Sequence, residues 1–165
     1  MEAKRILVVS DSHNHADNIE RILKKEGAFD CFVHLGDGER EVTRIQSMFH
    51  CPCYMVMGNC DSELDKLPSF TIINLGKHSI FATHGHKYWV NMGTEFLANN
   101  AKMYGCDFAL YGHTHIPDMH DAGGITVLNP GSVSLPRQTG HKKTYMILEV
   151  KEDGELTYEL RFLED

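Results

Sequence analysis

Apolar positions recur with two different periods along this chain. Ile6 to Ser10 opens it with an unbroken apolar, β-branched stretch, the pattern of a strand covered on both faces. Ile19, Ile22 and Leu23 then recur at helical spacing, and Gly27 is placed to stop the helix. Cys31 to Leu35 reads as a second strand, and Tyr54 to Met57 as a third. Between them Val42, Ile45 and Phe49 form one stripe of a second helix. Strand, helix, strand, helix, strand predicts parallel pairing through right-handed crossovers.

The pattern then changes. Phe70 to Leu75 and Ser79 to Thr83 flank Gly76-Lys77, a two-residue turn suited to a hairpin. A helix is expected over Thr94 to Met103, with Phe96, Leu97 and Ala101 facing inward, and a short strand over Phe108 to Tyr111. Met119 to Asp121 and Ile125 to Leu128 pair across Gly123-Gly124, and Thr144 to Val150 and Leu156 to Phe162 across Asp153-Gly154. No linker, repeat or low-complexity tract interrupts the chain. The expectation is one α/β domain over residues 1–165, two packed sheets with helices outside.

The strands end in polar residues of one kind. The first runs into Asp11-Ser12-His13, the second into Gly36-Asp37, and the third into Gly58-Asn59-Cys60-Asp61. Later ones run into His84-Gly85-His86 and Gly112-His113-Thr114-His115. In open α/β sheets the binding crevice lies beyond the carboxyl ends of the strands, so these loops are expected to converge. Carboxylate, amide oxygen and imidazole together suit Mn²⁺, Fe, Zn²⁺ or Ni²⁺ better than Ca²⁺ or a thiolate-loving ion. A single Asp37 carboxylate can bridge two ions, and two ions about 3.5–4 Å apart can clamp a phosphoryl group and activate a water.

Composition narrows the partners. The 165 residues carry a formal charge of −7, which argues against a groove for a nucleic-acid backbone. A small phosphate substrate remains open, because bound cations supply positive charge locally. No run approaches the roughly 20 apolar residues that span a bilayer, and Met1 to Arg5 lacks the form of a secretory signal. The five cysteines are odd in number and scattered, which points to a reducing cytoplasm. Cys51-Pro52-Cys53 has no second pair to complete a zinc site and reads as the lead into a strand. Assembly into a homo-oligomer is left open.

The motifs resemble those of the calcineurin-like metallophosphoesterases, in their small single-domain bacterial and archaeal phosphodiesterase branch. The family order D-x-H, G-D, G-N-[HCN]-[DE], H and G-H-x-H stands here as Asp11 to His13, Gly36-Asp37, Gly58 to Asp61, His84 and Gly112 to His115. Asn129-Pro130-Gly131-Ser132 matches a further loop of the branch. Each motif is weak alone; five in order are specific. The resemblance implies a four-layer β-sandwich flanked by helices, and two divalent ions, Mn²⁺ being the first expectation. It implies one ion on Asp11, His13, Asp37 and His115, and a second on Asp37, Asn59, His84 and His113. The water between them would attack the phosphorus of a small phosphodiester, with Asp37, Asn59, His84 and His113 as the catalytic set. The same fold family includes a retromer subunit that works through protein contacts, so a non-catalytic scaffold is the competing expectation. Scaffolds of that kind tend to lose ligands, and here all seven positions match.

One departure bears on mechanism. Many family members carry histidine where this chain has Cys60, and a neutral thiol is the poorer proton donor to a leaving oxygen. Cys60 and His86 are pocket candidates; His86 either lines the pocket, orients His84 or is a plain loop residue. Asp61 is read as a support for His113 or a neighbouring ligand, and His34 as a residue packed at a strand end. Tyr88-Trp89 either stacks on a leaving group or belongs to the core. Arg137 is a candidate phosphate contact, and Asn129 and Ser132 are candidates for shaping the site.

Overall fold

A computed structural model describes residues 2–165. Its first sheet begins with β1 (Lys4–Val9), β2 (Cys31–His34) and β3 (Cys53–Met55), linked by helices α1 (Asp17–Glu26) and α2 (Val42–Ser47). β1 to β2 and β2 to β3 pair in parallel, as the strand–helix alternation predicts. The last hairpin, β9 (Lys143–Val150) and β10 (Leu156–Leu163), joins this sheet with β9 antiparallel to β1. The order is therefore β10-β9-β1-β2-β3.

The second sheet is mixed. It contains β4 (Phe70–Leu75), β5 (His78–Thr83), β6 (Phe108–Leu110), β7 (Asp118–Ala122) and β8 (Ile125–Asn129), in the order β4-β5-β6-β8-β7. The two predicted hairpins are antiparallel, while β5, β6 and β8 run parallel. Helix α3 (Glu95–Met103) precedes β6.

Alternation along each strand builds four layers. From β1, Ile6 and Val8 enter the core between the sheets, against Ile80, Ala82, Leu110 and Met146. Leu7 and Val9 face the other way, onto Ile19 and Ile22 of α1 and Ile45 of α2. Phe81 and Ala109 pack outward against Leu97 and Ala101 of α3. A strand covered on both sides needs apolar residues at every position, which explains the unbroken run at Ile6–Val9. Each such buried side chain contributes about 1.5–3 kcal/mol relative to exposure.

Three local expectations are corrected. Phe96 does not face the core; it is 44% exposed and stacks on Trp89 at 5.0 Å. α2 ends at Ser47, so Phe49 lies beyond the helix, where its ring stacks on Phe32 at 3.8 Å. The third strand covers Cys53–Met55 rather than Tyr54 to Met57, because Met57 N–H turns to Pro68 O at 2.8 Å.

The architecture places the carboxyl ends of β1, β2 and β3 beside those of β5, β6 and β8. Asp11 N–H donates to Gly36 O, His13 N–H to Asp37 O, and Gly112 N–H to His84 O. These three bonds lace the loops of each sheet together at one edge of the sandwich.

Candidate metal centre

All seven predicted donors meet at this edge. Asp11 is fully buried; its Oδ1 lies 3.2 Å from His115 Nε2, 3.6 Å from His13 Nε2 and 3.8 Å from His84 Nε2. Asp37 Oδ2 lies 3.6 Å from His13 Nε2 and 3.2 Å from His84 Nε2. Asn59 Oδ1 is 3.0 Å from both His84 Nε2 and His113 Nδ1. The atoms fall into two overlapping groups, and the carboxylates of Asp11 and Asp37 each reach histidines of both. His13 and His115, whose ring nitrogens are 3.2 Å apart, are separated by 102 residues in the chain.

Secondary contacts fix which nitrogen faces inward. His84 Nδ1–H donates to Leu35 O and His115 Nδ1–H to Leu135 O, each at 2.7 Å. His13 Nδ1–H points to Glu39 Oε2 at 3.3 Å. With the outer nitrogen holding the proton, each neutral ring turns the lone pair of Nε2 into the site. In that neutral form the ring lone pairs converge with the carboxylate oxygens, and the buried Asp11 Oδ1 is left without a hydrogen-bond partner; protonation of a ring supplies one where no cation does. Such a cluster is stable only around positive charge, and its oxygen and imidazole donors fit a divalent first-row cation.

The pKa pattern reflects the same convergence. Burial pushes the Asp11 carboxyl upward, but hydrogen bonds from His115 and His13 and the charge of His84 hold it far below the carboxylate range. Burial likewise raises Asp37, and its hydrogen bond to His84 brings it down overall. A hydrogen bond to Asp11 raises His13, against burial. Burial alone would lower His84, but its bond to Asp37 and the charges of Asp11 and Asp37 raise it. His113 moves down, through burial and then the charge of His84.

The backbone is strained at the same place. Asp11, His13, Asp37, His113 and His115 all have positive φ, from 43° to 68°. Non-glycine residues held there cost on the order of 1–3 kcal/mol each and cluster at functional sites. Close approach also demands glycine at two positions. A Cβ on Gly58 would lie 2.0 Å from Asp37 Oδ1, and one on Gly112 would lie 2.0 Å from Ser10 Oγ.

Several supports were only partly legible in the sequence. Of the two supports expected of Asp61, the structure shows the one to a neighbouring candidate ligand, Asp37, and not the one to His113. The Asp61 carboxylate accepts the N–H groups of Asp37 and Gly58 at 2.8 Å and of Glu39 at 2.7 Å, so it pins the loops after β2 and β3. Glu39, which orients His13, belongs to no motif. A carboxylate two residues after the Gly36-Asp37 step would be the only sequence signal. His34 is fully buried with burial holding its pKa down to about 4. It accepts Gly36 N–H at Nδ1 and donates from Nε2 to Ser12 Oγ, binding the first two loops together.

The remaining candidates separate clearly. Buried Asn129 donates to Gly112 O and Thr114 Oγ1, and buried Ser132 donates to Asp11 O and accepts Leu135 N–H, so both shape the loops around the donors. Tyr88 packs on Phe81, whereas Trp89 is 65% exposed. Arg137 is exposed and contributes its N–H to His115 O. His86, Lys87, Gly58, Asn59, Met57 and Leu67 line a cleft of about 280 Å³. Cys60 is exposed beside Asp37, its thiol pushed up to about 11 by burial and then by the charges of Asp37 and Glu39.

Residues 5–153 match the calcineurin-like phosphoesterase superfamily domain. The chain belongs to that superfamily. Phosphodiesterase YfcE of Escherichia coli K12 is 32% identical over 169 residues, spanning 88% of this chain and 87% of its own. The structure of a conserved protein of Streptococcus pneumoniae, described as a predicted phosphoesterase, matches with a TM-score of 0.78 at 29% identity, over 99% of both chains. Vacuolar protein sorting 29 of Cryptosporidium parvum matches with a TM-score of 0.76 over 99% of both chains, but at 16% identity it shares the fold alone. A calcineurin-like phosphoesterase requires divalent metal ions, and the clusters Asp11–His13–His115 and Asp11–Asp37–His84 are candidate holders.

Proton competition makes a prediction for this phosphoesterase. His13 and His84 hold protons to higher pH than ordinary histidines, and an ion must displace them. Apparent metal affinity is therefore expected to rise with pH from below the usual histidine pKa up through the raised values. The rise is about tenfold per pH unit for each proton displaced. Calorimetric titration with Mn²⁺ at several pH values checks this; an affinity flat between pH 6 and 8 would show that these rings are not displaced.

Proposed function

We propose that the protein is a dinuclear-metal phosphodiesterase acting on a small phosphodiester, working with Mn²⁺ and tolerating Fe, Zn²⁺ or Ni²⁺. The observation that carries this reading is the Asp37 carboxylate between two complete donor groups, with the orphaned Asp11 Oδ1 beside it. One group is Asp11, His13, Asp37 and His115; the other is Asp37, Asn59, His84 and His113. When bound, the divalent ions supply charge for the phosphoryl oxygens and the acidity that makes water a nucleophile near neutral pH.

The chain's own residues do the rest. Only two carboxylates enter the donor set, so two divalent ions leave the centre positive, which suits an anionic diester despite the acidic chain. Leu35, Leu135 and Glu39 hold three imidazoles in one tautomer, so little reorganisation remains when substrate arrives. The cleft beside Asn59 has room for one substituent of the diester. The phosphodiesterase name of the E. coli relative supports the diester over the monoester, as does the lack of an imidazole at residue 60 to protonate a poor leaving group. The likeness to vacuolar protein sorting 29 raises a scaffold reading; the complete set of converging donors favours the enzyme. No helix among the described residues is long and apolar enough to cross a membrane, and five free cysteines fit a cytoplasmic setting.

The test is metal content and chelation. Protein saturated with Mn²⁺ is expected to hold two ions per chain by elemental analysis, to lose diesterase activity with a chelator and to regain it with Mn²⁺. One ion at saturation overturns the shared carboxylate, and activity that survives chelation overturns the reading itself.

A further inference from the structure

Cys60 does more than replace an absent histidine. Its Sγ, an imidazole nitrogen of His13 and a carboxylate oxygen of Asp37 all lie within 4.8 Å of one another. Cys60 N–H donates to Asp37 Oδ1 at 2.8 Å, and Asn59 Nδ2 donates to the sulfur at 3.5 Å. Backbone and side chain are therefore both anchored beside the carboxylate that the two donor groups share. Neighbouring donors on one zinc stand roughly 3–3.5 Å apart, given zinc–nitrogen and zinc–sulfur bonds of about 2.0–2.3 Å, and zinc can expand to five donors. A side-chain adjustment on the order of 1 Å closes the three donors around one ion.

We propose that Cys60 is a metal ligand selective for thiophilic ions: its sulfur joins His13 and Asp37 on Zn²⁺ or Co²⁺ and stays off Mn²⁺. The inference rests on the reading that His13 and Asp37 hold an ion. Its physical basis is softness. Thiolate favours zinc-like ions, whereas the oxygen and imidazole donors around it accept manganese as readily. The sulfur–metal bond forms as the S–H bond breaks and the proton passes to solvent; nothing is oxidised or reduced. The functional consequence is that one residue makes the centre distinguish between ions, which the other seven donors do only weakly.

Cobalt supplies a readout independent of turnover. The metal-free full-length chain is titrated with Co²⁺ and followed by absorption. Visible ligand-field bands report that the centre binds, and a near-ultraviolet sulfur-to-cobalt charge-transfer band reports the thiolate. The parent is expected to show both, while Cys60→Ser and Cys60→Ala keep the visible bands and lose the charge-transfer band. In competition, Cys60→Ser is expected to lower Zn²⁺ affinity roughly tenfold or more, with a much smaller effect on Mn²⁺. Visible bands without the charge-transfer band in the parent overturn the proposal and leave the metal centre standing. A charge-transfer band that persists in both variants also overturns it, since another cysteine must then be the ligand. Absence of all bands overturns the metal centre itself, and the proposal with it.

Discussion

Replacing Asp37 with asparagine is expected to abolish turnover and to weaken both metal positions together while the fold survives. The carboxylate stands 3.6 Å from His13 Nε2 and 3.2 Å from His84 Nε2, so it serves both donor groups. Asparagine keeps the shape but loses the charge that holds two cations close to each other. Removing a residue that merely orients a ligand costs about 10–100-fold in metal affinity or activity; removing the shared ligand costs more. His86→Ala is the contrast. Its ring lies 5.3 Å from that of His84 and lines the cleft, and it belongs to neither group, so its loss is milder. Steady-state rates and Mn²⁺ titrations of both variants decide the matter, with circular dichroism as the check on folding. Near-normal activity in Asp37→Asn beside a dead His86→Ala would falsify the assignment.

The second large effect concerns the leaving group. The Cys60 thiol, pushed up to about 11, is a poorer proton donor to a departing alkoxide than an imidazolium. A well-placed general acid contributes about 10²–10⁴-fold, and each tenfold step corresponds to about 1.4 kcal/mol of barrier. Departure must then rely on the acidity of the leaving oxygen and on the cations. The rate is expected to fall steeply as leaving-group pKa rises, with aryl diesters cleaved far faster than alkyl diesters. Cys60→His is expected to flatten that dependence and to recover part of the rate for poor leaving groups and monoesters. The measurement is rate against leaving-group pKa across a series of diesters, for the parent and for Cys60→His. A flat profile in the parent would reveal an acid elsewhere in the cleft.

The strain at the centre joins function to stability. Five donor residues hold positive φ, a conformation that unsupported residues of these types would abandon. What over-determines it is the surrounding hydrogen bonding: Asp61 on three N–H groups, Ser132 on Asp11 O, and His34 between the first two loops. The bonded supports and the donors are different residues, so a variant in the first set can lose metal while keeping every ligand.

Much of this was determined by the sequence alone. The two-faced run Ile6–Val9, the helical spacing of Ile19 and Ile22 and the Gly-Lys and Gly-Gly turns are local signals, and each produced the element it predicts. The polar loops that converge were legible because each follows such an element, where a parallel sheet opens its crevice; the choice of seven candidate donors within them came from the resemblance to the family's motifs. What only the tertiary structure decided is non-local. The return of β9 to pair with β1 depends on partners more than 130 residues away, such as Ile6 with Leu148, and strand patterning says which face is apolar but not which neighbour covers it. Phe96 fits a helical stripe yet lies outside, because α3 needs only Leu97, Ala98 and Ala101 to cover its sheet. Asp61, Glu39 and His34 act through backbone groups and rings brought near by folding. A carboxylate or imidazole of this kind has no periodicity, so its role depends on the donors and acceptors that the fold places within hydrogen-bond reach.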